Sequence, residues 1–206
     1  MSLRLEYPIS SNTSAPCQLK TPIYMLGLGV ALIRQHFGND DRVALEKSKY
    51  LWQDDQEASQ VYIGHQDNLD YTTIAKRPAI IVSLDAQAFP REVIADRFNV
   101  TEDGGSQFVD YATGGWLFTC LSDKPLDSLG LAGEIKYFFQ TYRQFIRPAY
   151  ALQSIRVMAM GRYQQQQDFK NMYGTVVSVT FEVQDNFEVD QESLKVGAVK
   201  LGFILE

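Results

Sequence analysis

The sequence GWLFTCL at residues 115–121, the amphipathic segment from Asp127 to Arg147 and the sequence TVVSVTFEVQ at residues 175–184 decide the fold of this chain. The first is a mostly apolar run of strand length. The second predicts a long helix, because its apolar residues recur at steps of three and four: Leu131, Ile135, Phe138, Tyr142 and Phe145, with Ala132, Phe139 and Ile146 beside them. Asp127 or Ser128 is predicted to cap this helix and Pro148 to end it.

The third segment alternates strictly between apolar and polar residues. Val177, Val179, Phe181 and Val183 are predicted to point into a core, and the residues between them to face water. A further strand is predicted around Ile155 to Arg162. Together the segments predict an α+β fold, with a mixed, mostly antiparallel sheet, two main helices packed on it and a long β-hairpin.

The first main helix is predicted from Thr21, as N-cap, to Phe37, with Pro22 at its first position and Gly38 at its end. It is apolar on nearly every side as far as Ile33, which predicts burial on two faces, the second against a neighbouring subunit. Its sequence GLGVAL at residues 27–32 lacks the third glycine of a dinucleotide fingerprint and predicts close helix packing instead.

The segments between these elements give weaker signals. Strands are predicted near Tyr50, at Val61–Gly64 and at Ala79–Leu84, and Glu92 to Asn99 is either a helical turn or an edge strand. Residues 107–121 predict one strand with a bulge or a sharp bend at 113–115, where two glycines occur. Residues 103–105 predict a turn.

We therefore divide the chain into an extended N-terminal arm at 1–20, a single domain at 21–186 and a C-terminal extension at 187–206. The apolar end of that extension, residues 196–205, could add a strand to its own sheet or to a neighbour's.

Composition limits the class of protein. The 206 residues are 45% hydrophobic with a formal net charge of −6, which disfavours tight binding to a phosphate backbone. The nearest approach to a basic cluster is a group of arginines scattered around a turn: Arg143, Arg147, Arg156 and Arg162. Cys17 and Cys120 are expected to be free thiols. We expect a soluble intracellular protein without a signal peptide or a membrane span.

The sequence contains no recognisable catalytic or metal-binding motif. Neither of the two histidines has a partner at metal-ligand spacing, so we expect no metal and no cofactor. His36 is expected to have a structural role at a helix end. His65 lies near Asp67 and Asp70, and this group is the only candidate centre for an enzyme.

The loop between the last two predicted strands is the best candidate for binding a partner. It combines four glutamines with large apolar residues that are costly to leave in water: Gln164, Gln165, Gln166, Gln167, Phe169, Met172 and Tyr173.

The order of these elements resembles the tail terminator (tail completion) proteins of long-tailed bacteriophages. The matching parts are the Tyr24–Phe37 helix, the sequence RPAIIV at residues 77–82, the strand Trp116–Leu121, the helix Leu129–Ile146 and the closing strands through Val183. The similarity covers residues 21–186 as topology and not as a motif. The chain departs from the family at residues 39–60, 85–106 and beyond Asp185.

The resemblance implies a structural subunit and not an enzyme. Such proteins form a hexameric ring that caps the tail tube and joins it to the head connector. The implied partners are copies of the chain, the tube, the connector and neck proteins, and the sheath. Genomic DNA passes through a lumen that we expect to be acidic or neutral, and no membrane is involved. The implied location is the virion neck, after assembly in the host cytoplasm. A connector adaptor, a stopper and a tail-tube-like subunit are the alternatives, followed by a small cytosolic enzyme.

Overall fold

A computed structural model describes residues 21–38, 47–55, 57–68, 77–88, 97–100, 106–166 and 172–189 of the chain. The chain divides into two units, one comprising residues 1–19, 95–109 and 185–206 and the other residues 20–94 and 110–184. The arm at 1–20, the turn at 103–105 and the apolar tail at 196–205 lie outside the described residues.

Helix α1 (Pro22–Phe37) begins and ends as predicted. The Thr21 hydroxyl accepts a hydrogen bond from the Tyr24 amide, and Gly38 follows the last helical residue. Gly29 lies against Trp116 and Val82 of the sheet. At its last turn the helix also packs on the chain itself, where His36 contacts Glu134 and Phe138 of the next long helix. In its first turn Ile23 is 84% exposed. Burial of the remaining apolar face by a neighbouring subunit stays a prediction.

The predicted strand near Tyr50 is instead a four-residue helix, α2 (Lys47–Tyr50). Tyr50 is buried in the core, and the Lys49 ammonium donates to the Asp127 carboxylate at 2.9 Å. These long-range contacts decide the conformation of a segment whose own pattern is weak. Strand β1 (Tyr62–His65) follows and ends in a single 3-10 turn at Gln66–Asn68.

The larger unit contains a mixed sheet. Its strands are β1, β2 (Ala79–Leu84), most of β4 (Ser106–Ser122), β5 (Leu152–Met160), the short β6 (Gln164–Gln165) and most of β7 (Tyr173–Val189), in the order β1-β2-β4-β7-β5 with β6 on β7. Strands β1 and β2 are parallel, whereas the pairs β2–β4, β5–β7 and β6–β7 are antiparallel. In the smaller unit, β3 (Arg97–Val100) pairs antiparallel with residues 106–108. The edge-strand alternative for residues 92–99 is thus the correct one for Arg97 to Asn99.

The paired glycines at 114–115 do not interrupt β4. The irregularity lies in the segment that faces them, where the four steps from Leu84 to Ala88 oppose the three steps from Trp116 to Thr113. The predicted bulge was therefore placed on the wrong chain segment.

The second long helix, α3 (Pro125–Ala149), is longer than predicted at both ends. Its N-cap is Lys124 without a side-chain hydrogen bond, so neither Asp127 nor Ser128 caps it. Pro148 does not end the helix as predicted: it lies inside the last turn, and the helix ends one residue later, at Ala149.

The apolar residues of α3 differ in their burial. Leu131, Ile135 and Phe138 are buried, as are Ala132, Phe139 and Ile146, but Phe145 is 62% exposed. Phe145 points to the same side of α3 as the buried Glu134, eleven residues earlier, so this side of the helix is covered at Glu134 and not at Phe145.

The core lies between the helices and one face of the sheet. Trp116 is fully buried there; its ring stacks on Phe139, and its indole nitrogen donates to the Met25 carbonyl at 2.7 Å. Val177, Val179, Phe181 and Val183 are buried on the same face, and the alternate residues of β7 are at least partly exposed, which confirms the predicted alternation. The α+β fold with two main helices is confirmed.

Candidate interaction surface

The glutamine-rich loop is shorter than the sequence suggests, because its first residues are paired in a hairpin. Gln164 and Gln165 are exposed and pair with Gly174 and Tyr173, and the Gln166 amide donates to the Met172 carbonyl at 2.9 Å. Only residues 167–171 remain in the loop itself. Gln167 and Phe169 belong to these residues and lie outside the described part of the chain.

Met172 is not an exposed docking residue. It is buried against the face of the sheet that the helices leave open, with Ala79, Ile81 and Leu121. Alternation along β7 places residue 172 on this face, so the side chain anchors the hairpin to its own sheet. Tyr173 is half-buried and packs edge-on against Tyr163, with 6.2 Å between ring centroids.

A group of exposed apolar side chains surrounds the base of the hairpin. Its members are Met158 at 63% exposure, Met160 at 40%, Tyr163 at 46% and Val176 at 36%. Met160 pairs with the buried Val177 and lies on the core face, whereas Met158 and Val176 lie on the open face. We call these four residues, which flank the hairpin on both faces, the hairpin patch. Only Tyr163 lies next to the loop that the sequence singles out.

A bulge accounts for the exposure of Met158, which the sequence analysis did not predict. The register between β5 and β7 shifts between Val157 and Ala159, so that one residue of β5 has no partner. Residues 158–160 are all exposed, whereas an alternating strand would bury at least one of them. The available signal was the sequence MAM at 158–160 in a strand at the end of the sheet.

The same region is basic. Between Glu134 and Asp168 the sequence contains five cations and no Asp or Glu, in a chain whose net charge is −6. The arginines among them are all exposed, and the structure shows no ion pair for any of them within the residues it describes: Arg143, Arg147, Arg156 and Arg162. They follow the end of α3 and the length of β5, so the fold gathers residues that look scattered in sequence.

The histidines do not form a reactive centre with the neighbours that the structure describes. The His65 Nδ1 is 3.9 Å from the nearest Asp67 oxygen, beyond hydrogen-bond distance, and Asp70 lies outside the described residues. His36 is fully buried, and its Nε2 lies 2.8 Å from Glu134 Oε1. The pair joins α1 to α3, in line with the structural role expected for His36.

Two concavities of the described chain are lined by charged side chains. The larger, of about 370 Å³, is a shallow depression on the open face of the sheet, lined in part by Asp85, Arg156 and Glu182. The smaller, of about 100 Å³, contains Arg34 and Arg77, whose guanidinium groups donate to the carbonyls of Ile63 and Ser59. Burial raises the pKa of the Cys120 thiol, which makes it a poor nucleophile.

Within the described residues there is no group of three or more metal-ligating side chains. None of the described helices is long and apolar enough to cross a membrane. No protein-family model matches the chain, and a comparison with curated proteins finds no match.

Proposed function

We propose that this chain is a structural subunit that associates with copies of itself in a virus particle. The observation that carries this proposal is the hairpin patch, whose apolar side chains are exposed to solvent: Met158, Met160, Tyr163 and Val176. Large apolar side chains, methionine and tyrosine among them, beside exposed arginines are typical of surfaces that another protein covers. The patch adjoins β5, which is the last strand of the sheet.

Within this class we propose a ring subunit of the tail terminator type, which caps the phage tail tube and meets the head connector. Its support is the observed element order: helix α1, the central strands β2 and β4, helix α3 across the sheet, and a closing hairpin. A tail-tube-like subunit fits less well, because tube proteins are mostly barrel-like with one small helix, whereas α3 alone has 25 residues. A connector adaptor or a stopper shares the chemistry of this surface and differs in ring symmetry.

Purified protein tests this function directly. We expect light scattering after size-exclusion chromatography to give a mass several times 23.4 kDa, and negative-stain images to show six-fold rings. Twelve-fold rings would favour an adaptor. A monomer at every concentration tested would contradict the proposed function.

A further inference from the structure

The two ends of the sheet carry opposite exposed charge. In the order β1-β2-β4-β7-β5, the end strands β1 and β5 are about 19 Å apart at the usual strand spacing of about 4.8 Å. We call the surface formed by β5, the hairpin patch and the end of α3 the basic edge. We call the surface formed by β1 with the flanking residues 54, 55, 57 and 67 the acidic edge.

The basic edge has a surplus of exposed cations, although Glu182 of the adjacent strand β7 is exposed beside Arg156. Arg143, Arg147, Arg156 and Arg162 are exposed there, and no acidic residue occurs between Glu134 and Asp168. Because this stretch has a charge of plus five and the whole chain minus six, the remaining residues carry a net charge of minus eleven. The chain is therefore strongly polarised along its sequence.

The acidic edge exposes carboxylates, whereas the arginines described there are half-buried. Its exposed acids are Asp54, Asp55, Glu57 and Asp67. Arg34 and Arg77 are half-buried beside them and are engaged with carbonyl groups; Arg34 also lies over the Trp52 ring, 5.3 Å from its centroid. Among the residues that the structure describes at this end of the sheet, the exposed charge is consequently negative.

The backbone of β1 is partly closed to a further strand. The Tyr62 amide donates to the Pro78 carbonyl, so Tyr62 faces β2 and its neighbours in the strand face outward. The outward carbonyls of Val61 and Ile63 accept hydrogen bonds from the Ser59 hydroxyl at 2.7 Å and from Arg34 at 2.8 Å. A partner at this edge must therefore bind through side chains and charge and not by adding a strand.

We propose that the basic edge of one copy binds the acidic edge of the next copy. This inference rests on the proposed function and identifies the surfaces that build the ring. A contact between two different surfaces of the same chain repeats from copy to copy, and it forms a closed ring when the rotation between copies completes a full circle. Charge complementarity selects the partner, and the hairpin patch supplies the apolar area that an interface needs.

Charge reversal at each edge tests the assignment. R156E/R162E removes the surplus charge of the basic edge and sets acids against Asp54 and Asp55 of the next copy; D54K/D55K does the converse with lysines against Arg156 and Arg162. Each variant alone is therefore expected to run as a monomer. An equimolar mixture is expected to associate, because both of its mixed contacts then join opposite charges. The chain with all four substitutions, R156E/R162E/D54K/D55K, is expected to assemble by itself with reversed polarity.

The controls separate this contact from a general effect of net charge and from misfolding. K124E/K136E changes the net charge by the same amount as R156E/R162E, at the beginning and middle of α3, and is expected to assemble like the unaltered chain. Raising the salt from about 0.1 M to 1 M shortens the screening length from about 10 Å to 3 Å. We expect this change to raise the dissociation constant of the oligomer at least tenfold. Association of the mixture also shows that each variant is folded.

Three outcomes would overturn the inference. If both edge variants assemble as the unaltered chain does, the two edges are not the contact surfaces, and the proposed ring is unaffected. If R156E/R162E assembles normally but loses binding to duplex DNA, the basic edge serves nucleic acid. If the unaltered chain never associates, the proposed function fails, and this inference fails with it.

Discussion

Two glycines in α1 have opposite surroundings, although they are only two residues apart. A Cβ on Gly29 would lie 2.9 Å from the Trp116 ring, whereas a Cβ on Gly27 would have nothing within 4 Å. The Trp116 ring has no room to move, because it is fully buried and its indole nitrogen donates a hydrogen bond to the Met25 carbonyl. Only one of the two glycines is therefore required by packing.

Substitution of each glycine by alanine tests this difference. We expect Gly29→Ala to lower the free energy of unfolding by about 1–3 kcal/mol, the usual cost of overpacking a core. Gly27→Ala is the matched control and is expected to raise it by up to about 1 kcal/mol, since alanine is the better helix former. Urea unfolding followed by circular dichroism measures both, and equal effects would contradict the close packing at Gly29.

The ion pair between Lys49 and Asp127 predicts a dependence of stability on pH. The hydrogen bond from Lys49 lowers the pKa of Asp127 below its ordinary 3.8, and the same bond raises the pKa of Lys49 above 10.5. The stabilisation is therefore fully present between these two ordinary values. It is lost as the pH falls through the lowered pKa of Asp127 or rises through the raised pKa of Lys49.

Lys49→Gln removes the pair while leaving Asp127 at the beginning of α3. We expect it to lower the free energy of unfolding by less than about 1 kcal/mol at pH 7, because the Lys49 side chain is 42% exposed. The difference from the unaltered chain should disappear once the pH is below the lowered pKa of Asp127. A difference that persists in acid would show that the lysine acts through packing and not through the carboxylate.

At the scale of elements, local patterns predicted what local forces determine. The Thr21 cap with Pro22 fixed the beginning of α1, and the alternation from Val177 to Val183 fixed the orientation of β7. The helix at Lys47–Tyr50 could not be predicted in this way. Lys49 of this helix contacts Asp127, which is 78 residues away in sequence, and this contact exists only in the folded chain.

The interaction surface was only partly predictable for the same reason. The sequence singled out the hairpin loop, but it could not show that Met172 turns onto the sheet or that a bulge exposes Met158. Likewise, the strand order that places β5 at one end of the sheet gathers the four arginines into one edge. Such gathering depends on pairing between strands and leaves no mark in a local pattern.

Shortening the hairpin tests its part in assembly. Replacing residues 167–171 by Asn-Gly connects Gln166 to Met172 by a two-residue turn suited to a hairpin. These two residues already share a backbone hydrogen bond. We expect a chain with an unchanged melting temperature that no longer completes its assembly with tube or connector proteins. Met172→Ala is the contrasting variant and is expected to lower the free energy of unfolding by about 2–5 kcal/mol. Normal particle assembly by the shortened chain would refute a docking role for the loop.

For the whole molecule, the two charged edges determine how a ring would meet DNA. If the acidic edge of each neighbour covers the arginines of β5, a ring of subunits with a net charge of −6 presents little free positive charge to a duplex. Binding to a phosphate backbone requires such charge, because it is driven largely by release of counterions. A conduit with this property lets DNA slide and does not hold it.

We therefore expect the assembled ring to leave the electrophoretic mobility of duplex DNA unchanged at about 0.15 M salt, the physiological ionic strength. The unassembled D54K/D55K chain is the comparison, because its arginines stay uncovered. It should retard DNA at low salt and release it steeply as salt increases. Tight binding by the assembled ring, or a ring structure with a lumen lined by arginine and lysine, would contradict an acidic or neutral lumen.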